Sequence, residues 1–327
     1  MTRLMLALCT LVFGLFCLSL LVGPARIAPA DSLLGLLRGG LDPVAMVMRE
    51  IRLPRAILAV LVGGSLGLAG AAMQGYLRNP LAEPGLIGVS ASAALGAVIA
   101  IQSGLAAAFM LGLPLMALAG ALVGVMLVLA LAGPRGGALT LILAGIAISA
   151  MAGAITQLVL NLSKNPFAVN EIVFWMMGSL ADRSLTHVWL ALPFTLLGWL
   201  VLARLGRGLD ALTLGEDAAA TMGVHLGRLR LMLVLGTACV VGAATAVAGT
   251  IGFVGLVVPH LLRPLVGAQP SRLLPASALG GAAMVLAADI AVRLVVPERD
   301  LKLGVLTALV GAPLFLHLIY KTRKEQP

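Results

Sequence analysis

The sequence predicts an all-α polytopic membrane protein, a single domain over 1–327 with ten transmembrane helices, and two observations carry that prediction. Of 327 residues, 61% are hydrophobic and only 11% are charged, with a mean hydropathy of +1.09. A soluble domain is about 45–50% apolar and about 25% charged, so this chain has too few charges to cover a water-soluble surface. The second observation is the spacing of the charges, which leaves windows close to the roughly 20 apolar residues that cross a bilayer. The 39 glycines and 17 prolines follow no collagen-like period. They fall inside apolar runs, as packed membrane helices tolerate.

The first charge-free window is Leu4–Ala25. Its apolar run exceeds the roughly 7–15 residues of a secretory signal. Despite the Arg3 start and the Ala28-Pro29-Ala30 that follows, it reads as an uncleaved first span. Ala56–Leu77 holds the second span, and Pro84–Pro134 holds two, broken near Gln102–Gly104. Gly136–Ser163 and Ser184–Ala203 hold one each. Leu231–Leu262 holds a full span and a short one after Gly249–Gly252. Leu273–Ala288 becomes long enough if Asp289 and Arg293 lie at its far end, and Leu303–Tyr320 completes the ten.

An even number of spans places both termini on one side, and the tail Lys321-Thr322-Arg323-Lys324 suggests the cytoplasm. That orientation makes Arg3, Arg78, Arg135, Arg204, Arg207, Arg228, Arg230, Arg263, Arg272, Lys321, Arg323 and Lys324 cytoplasmic, twelve of 22 basic residues. The positive-inside rule normally gives a larger excess, so something on the outer face requires arginine. The net charge of +9 and pI near 10.5 therefore read as loop charge, not nucleic-acid binding. Cys9, Cys17 and Cys239 lie in apolar runs without CxxC spacing and read as small hydrophobes.

Several chemistries lack their residues. No GxxxxGK[ST] occurs, so the chain has no P-loop of its own for ATP. The one GxG, Gly206-Arg207-Gly208, follows a membrane span and not the strand of a dinucleotide site. No HExxH occurs, and His187, His225, His260 and His317 have no ligand spacing. Enzymatic catalysis is not expected. The mid-span polar residues are Gln74, Thr156, Gln157, Asn161, Thr237 and Thr245, with no carboxylate or lysine expected at mid-depth. That argues against an ion-coupled carrier, which keeps such groups in the bilayer, although sodium sites built from carbonyls escape the test. Gln74 and Asn161 read equally as substrate-path residues or interhelical hydrogen bonds. Gly63-x3-Gly67-x3-Ala71, Gly120-x3-Gly124 and Gly242-x3-Ala246 read as close helix packing.

Three loops stand out. Asn79-Pro80-Leu81-Ala82-Glu83-Pro84-Gly85-Leu86-Ile87-Gly88-Val89-Ser90 turns the chain at the cytoplasmic ends of spans two and three. The segment 205–230 contains Leu214-Gly215-Glu216-Asp217-Ala218-Ala219-Ala220-Thr221-Met222-Gly223-Val224, read as a short helix with acidic residues at its N-terminus. Such a helix in a cytoplasmic loop suits docking to a soluble partner. The third is Gly249–Arg263, a glycine-rich re-entry into a short span.

Together with Ile51-Arg52-Leu53-Pro54-Arg55 and Gly304–Pro313, these loops resemble the FecCD-type permeases. These are the membrane subunits of binding-protein-dependent ABC importers for iron–siderophore complexes, haem and cobalamin. The resemblance runs in order over nearly the whole chain. It implies a homodimer in the inner-membrane bilayer with the pathway between subunits, two cytoplasmic ATPase subunits that hold the ATP and Mg, and a periplasmic binding protein. It implies no cofactor or metal in this chain.

Residue by residue, Leu214, Gly215, Glu216, Asp217, Ala218, Met222 and Gly223 match the coupling element that seats in the ATPase. Asn79, Pro80 and Leu81 match a cytoplasmic gate, and Gly137 and Ala138 lie near a second. Arg52, Arg55 and Arg293 match arginines that meet glutamates of the binding protein, with an intrachain Asp289–Arg293 pair as the rival reading. A periplasmic re-entrant segment is expected at about 165–183. The cargo is expected to be an iron chelate, siderophore or haem, whereas Ala82-Glu83-Pro84-Gly85 resembles the cobalamin permeases.

Overall fold

A computed structural model describes residues 1–25, 27–38, 42–133, 136–295 and 301–325. Pro134 and Arg135, at the end of the third window, lie outside the described residues. Every regular element among the described residues is helical. Helix α1 (Thr2–Leu21) is followed by the short α2 (Pro29–Arg38) and α3 (Pro43–Met46). A π-helical turn, Val47–Arg52, runs from α3 into α4 (Leu53–Leu77). After residues 78–88 come α5 (Val89–Gln102), α6 (Leu105–Ala108), α7 (Gly112–Ala132) and α8 (Ala138–Leu162). Next are α9 (Pro166–Met176), α10 (Leu185–Ala203), α11 (Gly206–Leu212) and α12 (Glu216–Thr221). The chain ends with α13 (Leu226–Ala248), α14 (Val254–Leu262), α15 (Pro270–Val295) and α16 (Leu303–Glu325).

Each charge-free window carries the helix or helices expected of it. Among the described residues, seven helices are long and apolar enough to cross a bilayer: α1, Pro43–Leu77, α7, α8, α10, α13 and α15. Helix α5 and residues Leu303–Leu316 of α16 are apolar but shorter, and α14 has nine residues. Helix α15 extends past its apolar window to carry Asp289 and Arg293 in its last turns.

Helix α4 is the centre, packed against α1, α10, α13, α14 and α15. Its glycines explain why the neighbours come so close. A Cβ on Gly63 or Gly67 would overlap the backbone of Gly281 or Ser277 in α15, and one on Gly70 would overlap Gly255 in α14. The same device joins α5 to α7, where Gly96 faces Met116 and Gly120 faces Ser92. Between apolar helices in lipid the attraction is mostly van der Waals contact, and small residues let backbones approach.

The segment after α4, expected as a turn between spans two and three, folds back along α4 before α5 begins. Arg78 caps α4 in the left-handed region (φ 49°), and the chain then makes only one 3-10 turn, Pro84–Ile87, which starts at a proline and ends at Gly88 (φ 76°). Pro84 ends up beside the middle of α4: a Cβ on Gly255 would lie 2.7 Å from Pro84 Cδ and 2.9 Å from the Leu66 carbonyl oxygen. Helix α5 is short because it starts from this depth.

Candidate functional site

At the end of the bundle where α4 begins, three arginines and one carboxylate tie three helices together. Asp289 is fully buried between Arg55 and Arg293, each with an N–O distance of 2.8 Å to it. Arg293 Nη1 also donates to the carbonyls of Ser19 (2.9 Å) and Val22 (2.6 Å), and Nη2 to Ser19 Oγ (2.7 Å). Arg52 is 3% exposed and donates to the carbonyls of Leu20 (2.9 Å), Leu21 (3.0 Å) and Ala25 (2.6 Å). Two guanidiniums thus satisfy the orphan carbonyls ending α1, where the helix dipole favours cations.

The intrachain Asp289–Arg293 pair of the rival reading is present. Arg52 and Arg293 also hold the end of α1. Arg55 keeps 17% side-chain exposure.

At the opposite end, two of the residues expected from the sequence, Gly137 of the second gate and Glu216 of the coupling segment, line one cavity of about 310 Å³. Its walls include Tyr76 from the last turn of α4, Gly136 and Gly137 before α8, Glu216 from α12, and Arg230 from α13. Asn79 follows α4 and is exposed. Its Oδ1 accepts the Leu81 N–H at 2.9 Å, a side-chain turn typical of asparagine, which fixes Pro80 and Leu81 beyond it. Gly137 caps α8, and Ala138 is its first residue.

Helix α12 carries Glu216 and Asp217 in its first turn, after Gly215 at φ 107°. Ala219 is buried beneath it, whereas Leu214 and Met222 are 68% and 63% exposed at its two ends. Gly223 (φ 85°) then turns the chain into α13. A short helix with an acidic start and apolar ends projecting outward suits docking to a partner surface.

Sequence reasoning missed Arg230. Its Nη2 donates to the Gly133 carbonyl at 2.8 Å and its Nη1 to that of Gly136. The guanidinium therefore ties Gly133 and Gly136, ahead of α8, to the first turns of α13. An arginine in a basic loop carries no sequence signal for such a partner.

Between the two ends lies a junction of chain breaks. Thr250 Oγ1 donates to the Met176 carbonyl, Ser179 N–H to that of Ala248 at 2.8 Å, and Gly304 N–H to that of Gly178 at 3.2 Å. The ends of α9 and α13 and the start of α16 meet here. Glu83 joins them: its Oε1 accepts the Phe253 N–H at 3.2 Å. Because Glu83 and Leu66 line the same cavity, a carboxylate does stand beside the middle of α4, contrary to expectation. The reason is the fold-back of residues 78–88, which carries a loop residue inward.

Gln74 is a buried interhelical link. Its Nε2 donates to the Leu256 carbonyl at 3.1 Å, and its Oε1 accepts from Arg263 Nη2 at 2.8 Å. Burial holds the Arg263 guanidinium below its ordinary pKa, as it does that of Arg183 between α9 and α10. Gln157 and Asn161 lie on an exposed face of α8.

Comparison with known proteins identifies the family. The model of the FecCD transport family matches residues 10–321. The cobalamin import system permease BtuC of Halobacterium salinarum is 40% identical over 281 residues, covering 85% of this chain and 74% of that one. The hemin transport system permease HmuU of Yersinia pestis is 40% identical over 301 residues, covering 87% and 86%. A solved metal-chelate type ABC transporter in an inward-facing conformation superposes with a TM-score of 0.86 at 33% identity, covering 98% of this chain and all of that one. A FecCD family match along almost the entire chain, on an all-helical membrane fold, makes this protein a FecCD-family permease, the transport subunit of an ABC importer.

Proposed function

We propose that the chain works as a homodimer of ten-span subunits in the bacterial inner membrane, with both termini cytoplasmic, importing a metal chelate by alternating access. Two cytoplasmic ATPase subunits, which hold the ATP and Mg, supply the energy. A periplasmic binding protein supplies the cargo. The observation that carries this reading is the cavity shared by Tyr76, Gly137, Glu216 and Arg230. Gly137, from one gate turn, and Glu216, from the helix suited to ATPase docking, line it together, which supports a route from α12 to that turn. Leu214–Gly223 is the coupling element, Asn79–Leu81 and Gly137–Ala138 are the gates, and 165–183 is a re-entrant outer segment. Arg52, Arg55 and Arg293 form the binding-protein face as a preassembled network in which Arg55 makes the contact.

The cargo in this reading is an iron chelate, haem first, in line with the hemin permease relative. Cobalamin is the second reading, favoured by Ala82-Glu83-Pro84-Gly85 and by the cobalamin relative. Both are large chelates that a pathway of sparse polar residues passes without strong contact. The test is uptake into proteoliposomes. Haem or cobalamin should accumulate only with ATP, the ATPase and the binding protein together, and uptake by this chain alone would sink the importer reading in favour of an ion-coupled carrier. The ligand retained by the cognate binding protein decides between the two cargoes.

A further inference from the structure

Glu83 is the feature that the importer reading does not absorb. It stands beside the middle of α4, where a charged group is costly unless a partner compensates it. Among the described residues it forms no ion pair. Its partner is a backbone N–H, that of Phe253, at the N-terminus of α14, where the helix dipole favours a carboxylate. Phe253 itself is held at φ 68°, a conformation unfavourable for a bulky residue. Its ring lies against Gly311 of α16, where a Cβ would overlap it.

The segment that carries Glu83 is anchored on one side of it and open on the other: Pro84 and Ile87 are buried, whereas Arg78 and Asn79 are exposed and Pro80 and Leu81 half-buried. It runs between two left-handed residues, Arg78 (φ 49°) and Gly88 (φ 76°), and a Cβ on Gly85 would meet nothing within 4 Å. Beside it is a cavity of about 150 Å³ lined by Leu66, Glu83, Gly85, Ser90, Thr250 and Gly252. One side of the contact is therefore a side chain with space beside it, at the point where the exposed residues 78–81 meet the anchored Pro84–Gly88. The other is a helix start fixed between α4 and α16.

We propose that Glu83 is the latch of the inner gate. Bound to the Phe253 N–H, it holds residues 78–88 against α14. Its release frees Asn79 and Leu81, which precede it on the same segment. The inference rests on the reading of Asn79 and Leu81 as a gate, and it makes Glu83 a positioning residue that acts through them. A static cap would stabilise the fold equally in every state of the cycle, whereas a latch biases one gate position.

The test uses the full chain assembled with its ATPase subunits in liposomes, with Cys9, Cys17 and Cys239 replaced by alanine and Leu81→Cys as reporter. A membrane-impermeant maleimide then reads access to position 81 with and without nucleotide. A hydrogen bond to a charged group biases an equilibrium by about tenfold or more. Glu83→Ala should therefore raise resting labelling by about tenfold and shrink the nucleotide-dependent difference. Glu83→Gln keeps an acceptor without the charge and should raise it by about threefold. If the alanine variant does not assemble, Glu83→Gln decides alone, and an unchanged rate overturns the latch. Labelling that nucleotide does not alter in the Glu83 complex sinks the gate reading and the latch with it. Labelling that responds to nucleotide but ignores Glu83→Ala overturns the latch only.

Discussion

Asp289 is the residue on which the end of the bundle where α4 begins depends. It is fully buried and contacted by Arg55 and Arg293, so removing its charge leaves two guanidiniums short of a partner. Breaking a buried ion pair from one side costs about 3–5 kcal/mol. Asp289→Asn should therefore lower the thermal unfolding midpoint of the detergent-solubilised protein markedly. Arg293→Ala should do the same, because it also uncaps α1. Arg55→Ala is expected to separate the two roles of the cluster. It should weaken binding of the periplasmic protein by about tenfold, measured by equilibrium titration, with a smaller drop in unfolding temperature. The Asp289–Arg293 pair was legible at a spacing of four. The Arg55–Asp289 pair spans 234 positions, and no local pattern in one sequence announces it.

At the scale of elements, glycines and one arginine decide how helices meet and move. Gly67→Ala and Gly281→Ala should each destabilise the protein, since the added methyl overlaps backbone that cannot move aside. Gly14→Ala, which meets nothing within 4 Å, should leave the unfolding temperature unchanged, and equal effects at all three positions would contradict this packing. The Arg230 clamp predicts a functional change. Arg230→Ala should preserve ATP hydrolysis by the complex while lowering substrate moved per ATP, because the Gly136–Gly137 turn no longer follows α13. Arg230→Lys should recover part of the coupling, since an ammonium reaches one carbonyl and not both. The helices themselves were readable because charge-free windows of spanning length permit little else. The fold-back of residues 78–88 was not, because prolines and glycines announce a break without saying which way the chain goes.

For the whole molecule, transport should require the assembled system. Omitting the ATPase or the binding protein should reduce proteoliposome uptake to the rate of empty vesicles. The sequence by itself determined the class of the molecule, a helical membrane protein, and its family, because hydropathy and motif order are local and survive in linear form. It also singled out Leu214–Gly223 and the turns at Asn79–Leu81 and Gly137–Ala138, since loops between spans stand out against apolar runs. Only the tertiary structure decided that Arg52 and Arg293 are bound to the end of α1, that Arg230 of α13 holds Gly133 and Gly136, and that Glu83 reaches the middle of α4. Each of those is a polar contact between residues distant in sequence. In a low-dielectric interior its energy depends on burial and partner geometry, which exist only once the helices have packed.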